Sequence, residues 1–114
     1  MSVDSLTRKK SKQFAVRIVG MYKYLQDKKE YVLSKQVLRS GTAIGAIVAE
    51  GIYAQSRADF VNKMNQALKE AAETEYWLEL LKDTDYISQE QYDSIHSDCE
   101  ELIRILSATV KNSR

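Results

Sequence analysis

The stretch DFVNKMNQALKEAAETEYWLELL, residues 59–81, decides the fold. Its small and apolar residues Phe60, Met64, Ala67, Ala71, Thr74, Leu78 and Leu81 succeed one another at alternating steps of four and three. That spacing keeps them on one face of an α-helix, whereas a half-buried strand needs a period of two. Trp77 and Leu80 widen the apolar face. Ser56 followed three residues later by Asp59 is an N-terminal capping signal, and Asp83-Thr84-Asp85 supplies turn-favouring residues at the other end. The pattern predicts a helix over 57–83.

The same period recurs on either side. Tyr92, Ile95, Cys99, Leu102, Leu106 and Thr109 form a stripe, and Ser88 with Gln91 makes a capping box, predicting a helix over 89–111. Phe14, Ile18, Met21 and Leu25, with Lys12, Arg17 and Lys23 on the polar face, predict a helix over 5–27. Gly20 inside it costs up to about 1 kcal/mol relative to alanine, so a close helix contact is expected there. Between these lies KQVLRSGTAIGAIVAEGI (35–52), in a segment expected to be helical over 33–53. Val37, Ile44 and Val48 form its seam; Ser40, Gly41, Ala43, Gly45, Ala46 and Ala49 are all small. It reads as a tightly packed helix buried nearly all round, and a helix apolar on most sides needs more than one neighbour. A partner from another subunit is therefore expected. Short connections between helices of similar length imply antiparallel neighbours, hence one all-α domain over 1–114, an antiparallel up-down-up-down four-helix bundle.

Composition agrees. The 114 residues include no proline and four glycines, few backbone breakers for a chain this long. A hydrophobic share of 44% beside 29% charged residues is that of a globular chain rather than a disordered one. The lone Cys99 excludes an intramolecular disulfide and a cysteine-based zinc site, and fits a cytoplasmic compartment. No apolar run approaches the roughly 20 residues that span a bilayer, and MSVDSLTRKKSK is too polar for a signal peptide. The net charge of +1 hides a division: residues 1–40 hold ten Lys/Arg against Asp4, Asp27 and Glu30, while the remainder holds seven against thirteen acids. Such asymmetry marks either a polyanion-binding face or oppositely charged helices packed together.

The basic residues that could meet phosphates are Arg8, Lys9, Lys10, Lys12, Arg17 and Lys35, with Lys23, Lys28 and Lys29 nearby in sequence. Glu50, Glu70 and Glu73 could hold a metal pair in a bundle. That chemistry normally uses Glu-x-x-His motifs, and here the single His96 is preceded at that spacing by Asp93. The better expectation is that these glutamates pair with Arg39, Lys69 or helix ends. His96 and Cys99 are three apart, but Cys99 falls on the core stripe and no orienting group or oxyanion hole accompanies the pair. GTAIG lacks the lysine and spacing of a P-loop. No catalytic residue, metal site, cofactor or small-molecule substrate is therefore expected.

QVLRSGTAIGAIVAEG (36–51), followed by residues 59–81, resembles the 23S rRNA intervening-sequence protein family. The resemblance implies a bacterial four-helix bundle that assembles as a homopentamer, with RNA or DNA binding the usual conjecture for its role. The family's recurrent positions fall on Gln36, Arg39, Ser40, Glu50, Glu70, Glu73, Thr74 and Trp77. The chain departs from the pattern at Ala43, Ile47 and Ala72, where relatives commonly carry serine, asparagine and asparagine. A polar cluster in relatives would be thinned here. The expected function is a non-enzymatic homo-oligomeric scaffold that binds RNA or DNA through basic faces. Its rival is an adaptor that recruits a nucleic-acid enzyme without touching nucleic acid itself; neither acts at a membrane.

Overall fold

The computed structural model describes residues 5–113 in four α-helices: α1 (Ser5–Asp27), α2 (Leu33–Glu50), α3 (Arg57–Asp83) and α4 (Gln89–Ser113). A single 3-10 turn, Gly51–Tyr53, follows α2 directly. Residues 1–4 and 114, included in the expected domain, lie outside the described residues. The helical segment expected over 33–53 thus changes pitch at Gly51, and α4 runs to Ser113 rather than 111. Among the described residues there is no strand.

Local hydrogen bonds set most of the starts and stops between helices. The Ser56 hydroxyl accepts the Asp59 N–H at 3.0 Å, and the Asp59 carboxylate accepts the Gln55 N–H at 3.1 Å. At α4 the capping box is reciprocal: Gln91 N–H to Ser88 Oγ at 3.1 Å and Ser88 N–H to Gln91 Oε1 at 2.8 Å. α1 ends where Lys29 takes a left-handed conformation (φ 63°) and Glu30 N–H returns to the Leu25 carbonyl at 2.9 Å. Asp85 (φ 66°) does the same after α3, with Tyr86 N–H reaching the Leu81 carbonyl at 2.9 Å. α2 begins on a device absent from the sequence expectations. The buried Glu30 carboxylate accepts the N–H groups of Ser34, Leu33 and Val32 at 2.6, 3.1 and 3.3 Å. Burial alone would raise the Glu30 pKa, but these bonds outweigh it and hold the carboxyl below its ordinary value.

Cross-helix contacts fix the antiparallel register. Gln26 bonds Ser34 near the α1–α2 link, while Lys10 in the first half of α1 meets Glu101 at the middle of α4. Arg39 pairs with Glu70 and Glu73, Glu50 with Lys63, and Glu75 with His96. The bundle is 44 Å long and about 20 Å across, a length set by the 27-residue α3.

All seven stripe residues of α3 are buried, as are Phe14, Ile18 and Leu25, Val37, Ile44 and Val48, and Tyr92 through Leu106 on the α4 stripe. The α4 stripe closes on Val110 instead of Thr109, whose hydroxyl donates to the Ile105 carbonyl at 2.9 Å. Met21 is only half-buried, and Thr7 and Ser11 extend the buried face of α1 instead.

Two expectations about glycine and α2 are corrected. Gly20 makes no close helix contact: a Cβ built there meets nothing within 4 Å. Nor is α2 buried nearly all round, since Lys35, Gln36, Arg39, Ala46 and Glu50 face solvent along one side. Two of its small residues, Gly41 and Gly45, are used within the chain. A Cβ on Gly41 would lie 2.7–3.0 Å from three carbons of Ile18, and one on Gly45 would lie 3.2 Å from the Ser11 carbonyl oxygen. α1 thus packs against Gly41 and Gly45.

Candidate nucleic-acid interface

The antiparallel arrangement gathers the starts of α1 and α3 with the ends of α2 and α4 at one end of the molecule. Arg8, Lys9 and Lys12 stand there exposed on α1, with no ion-pair partner among the described residues. Lys10, from the same run, is held by both Glu101 oxygens at 3.0 Å. Arg17 is likewise occupied, by Asp98 at 2.7 Å and by the Ser94 carbonyl and hydroxyl at 3.1 and 2.9 Å. Lys35 is exposed but belongs to the first turn of α2, at the opposite end. The structure therefore brings three of the six expected cations together, spends two on the α1–α4 seam and separates the sixth.

Two cations from the acidic part of the chain join this end. Arg57 is the first residue of α3 and Lys111 lies in the last turn of α4; both are exposed and without an ion-pair partner among the described residues. The carboxylates there are engaged: Glu50 with Lys63 at 3.1 Å, Glu100 with Arg104 at 2.7 Å, Glu101 with Lys10, and Asp59 on the Gln55 N–H. Residues 5–16, 42–69 and 98–113 carry nine Lys/Arg against five acids, while 17–41 and 70–97 carry seven against ten. Charge thus grades along the bundle axis as well as across it. Arg8 and Arg57 also sit near helix N-termini, where the helix dipole disfavours cations by a few tenths of a kcal/mol. Helix stability does not explain their placement. Grouping charges by helix end instead of by chain half would have found Arg57 and Lys111 in the sequence.

Next to these cations are exposed apolar groups. Ile52 is 44% and Tyr53 82% exposed on the 3-10 turn. A shallow groove beside the start of α3 is lined by Arg57, Ala58, Val61, Asn62, Asn65 and Ser113. A smaller one of about 190 Å³ runs between Arg8, Lys12 and Ala15 of α1 and Thr42, Gly45, Ala46 and Ala49 of α2.

The positions carried by the family resemblance lie elsewhere, mostly along the α2–α3 seam. Arg39 donates to Glu70 at 3.1 Å and to Glu73, and the Glu73 bond, offset by burial and helped by Glu70, raises its pKa. The buried Ser40 and Thr74 hydroxyls hydrogen-bond at 2.9 Å, and Thr74 also reaches the Glu70 carbonyl at 2.8 Å. Gln36 is exposed. Trp77 is half-buried with its ring edge-on to Tyr76, and its buried Nε1 has no hydrogen-bond partner among the described residues. Arg39 with Glu70 and Glu73, and Ser40 with Thr74, fasten α2 to α3; surface ion pairs contribute at most about 1 kcal/mol each. Ala43 and Ile47 are half-buried and Ala72 is exposed, so none of the three apolar replacements lies in the fully buried core.

The remaining candidates are structural in geometry. Cys99 is fully buried, its thiol facing the Ala71 carbonyl at 3.4 Å. Burial, with Glu75 and Glu100 adding to it, pushes the thiol pKa up to about 12, so no thiolate is available at neutral pH. His96 bonds Glu75 at 2.9 Å and stacks on Tyr92. Among the described residues no three His, Cys, Asp or Glu side chains are grouped to hold a metal ion, and no helix is long and apolar enough to cross a membrane.

Fold and surface together define an all-helical, up-down-up-down bundle protein with one cation-rich end. More particularly, the chain belongs to the 23S rRNA-intervening sequence protein family, whose model matches residues 4–108. It is similar to the crystal structure of a protein with unknown function from the S23 ribosomal protein family of Bacteroides thetaiotaomicron VPI-5482. The two share 58% identity at a TM-score of 0.91, over 92% of this chain and 98% of that one. No curated protein matches the chain.

Proposed function

We propose that the chain is a non-enzymatic, homo-oligomeric scaffold of the cytoplasm that binds RNA or DNA through its cation-rich end. One observation carries this reading: Arg8, Lys9, Lys12, Arg57 and Lys111 stand exposed toward the end where α1 and α3 begin, without an ion-pair partner among the described residues, and the described carboxylates there are engaged. Unpaired cations on a fixed scaffold release counterions when they meet phosphates, which is the main source of sequence-independent affinity. The family's pentameric assembly would repeat the patch five times. Val16 and Val19, 65% and 37% exposed on α1, are apolar surface that such an assembly would cover.

Mobility shifts with a structured RNA and with single-stranded DNA test the binding. Affinity should fall with salt at a slope of about −0.7 to −0.9 per phosphate contact. The triple charge reversal Arg8→Glu/Lys9→Glu/Lys12→Glu should flatten that slope by about 2 to 3. Absence of any shift at low salt ends the nucleic-acid reading. Mass in solution tests assembly separately: a species of 13.1 kDa defeats it, and five copies support it.

A further inference from the structure

The cation-rich end carries more than charge. Tyr53 is the most exposed large hydrophobic side chain among the described residues, at 82%. Its backbone is nevertheless well fixed. Gly51 is buried, its N–H returns to α2 carbonyls, and Ala54 N–H closes the turn on the Gly51 carbonyl at 3.2 Å. Neither an aromatic contact nor a hydrogen bond occupies the ring among the described residues. A rigid turn presenting a bare phenol ring gains nothing from it in the isolated bundle. Arg57 follows four residues later, at the mouth of the groove lined by Val61, Asn62 and Asn65. The end thus offers a flat π-surface, amide groups that can both donate and accept, and cations without an ion-pair partner among the described residues.

We propose that this end is a site for single-stranded nucleic acid, in which an unpaired base stacks on Tyr53 and the flanking phosphates lie on Arg57 and the neighbouring cations. This deepens the function proposed above and rests on it. The chemistry selects the single strand. A base within a duplex is already stacked on both faces, whereas an unpaired base can use an aromatic platform whatever its identity. Asn62 and Asn65 lie where a second base edge would enter the groove.

The test uses fluorescence anisotropy of the full chain with labelled 20-nucleotide oligo(dT), oligo(U) and a 20-base-pair duplex at one low salt concentration. Both single strands should bind more tightly than the duplex. Tyr53→Ala should weaken the single strands about tenfold and leave the duplex unchanged, while Tyr53→Trp should retain single-strand affinity. Because the ring is exposed, circular dichroism of Tyr53→Ala should match the parent. A duplex bound as tightly as the single strands overturns the proposal, as does a Tyr53→Ala effect under twofold. If either occurs while the triple charge reversal still abolishes binding, nucleic-acid binding stands and only the stacking site falls. If the parent protein binds none of the three probes, both fall.

Discussion

The three glycines within α1 and α2 give a quantitative test of how these helices meet. Each Gly→Ala change in a helix interior gains up to about 1 kcal/mol of propensity, so any difference among them measures the surroundings. At Gly20 the new methyl meets nothing within 4 Å, and Gly20→Ala should stabilise the bundle by about 0.5–1 kcal/mol. At Gly41 the methyl would fall 2.7 Å from Ile18 Cγ1 and 2.8 Å from Cγ2. Rotating the β-branched side chain cannot clear both carbons, and Ile18 is 0% exposed, with no free space to enter. Overpacking a core costs about 1–3 kcal/mol, and this site belongs near the top of that range. After the propensity gain, Gly41→Ala should lose about 2 kcal/mol. At Gly45 the neighbour is the Ser11 carbonyl at 3.2 Å, so α1 must yield by a few tenths of an ångström and the net change should be near zero. Thermal and urea unfolding of the three variants check the order. For a domain of this size 1 kcal/mol is about 4 °C in Tm, so Gly20→Ala and Gly41→Ala should differ by roughly 10 °C. A Gly41→Ala protein as stable as its parent would refute close packing of α2 on α1 through Ile18, and with it the register of those two helices.

Three further outcomes are expected. Ser40→Ala should cost about 0.5–1.5 kcal/mol, and Thr74→Val added to it should cost less than the sum of the two changes, because the 2.9 Å hydroxyl pair is then lost only once; a double-mutant cycle in urea measures the coupling. Glu30→Gln should destabilise by about 1–2 kcal/mol at neutral pH, where the ionised carboxylate caps α2. The folded-state pKa of Glu30 is lowered, so its contribution is full above the ordinary value of 4.5 and lost as pH falls through the folded value. The gap between parent and Glu30→Gln should therefore close in acid, and an unchanged gap at low pH would contradict the cap. Cys99, with a thiol pushed up to about 12, should resist alkylation at pH 8 in the folded protein and react fully in denaturant; native labelling at a free-thiol rate would show that the core is open there.

Much of the fold was legible in the sequence because helix periodicity is local. The α3 stripe from Phe60 to Leu81 needs only the 3.6-residue turn, and the capping pairs Ser56–Asp59 and Ser88–Gln91 act within three residues. Family-linked positions were readable as residues, but not as the α2–α3 seam they form. Neither was the Glu30 cap, since a carboxylate four residues ahead of Ser34 carries no helix signal until the chain turns back at Lys29. Small side chains on α2 showed that something packs closely there. Only the tertiary structure decided that it is α1 of the same chain, because Gly41 and Gly45 give no direction to the neighbour they admit. Charge divides in the same way. The sequence by itself determined a basic first segment and an acidic remainder. Antiparallel packing then put Arg57 and Lys111 toward the same end of the bundle as Arg8, Lys9 and Lys12, and removed Lys10 and Arg17 into ion pairs. Composition counts charges, whereas the reach of a phosphate is set by distances across helix ends, and those exist only once the four helices are folded together.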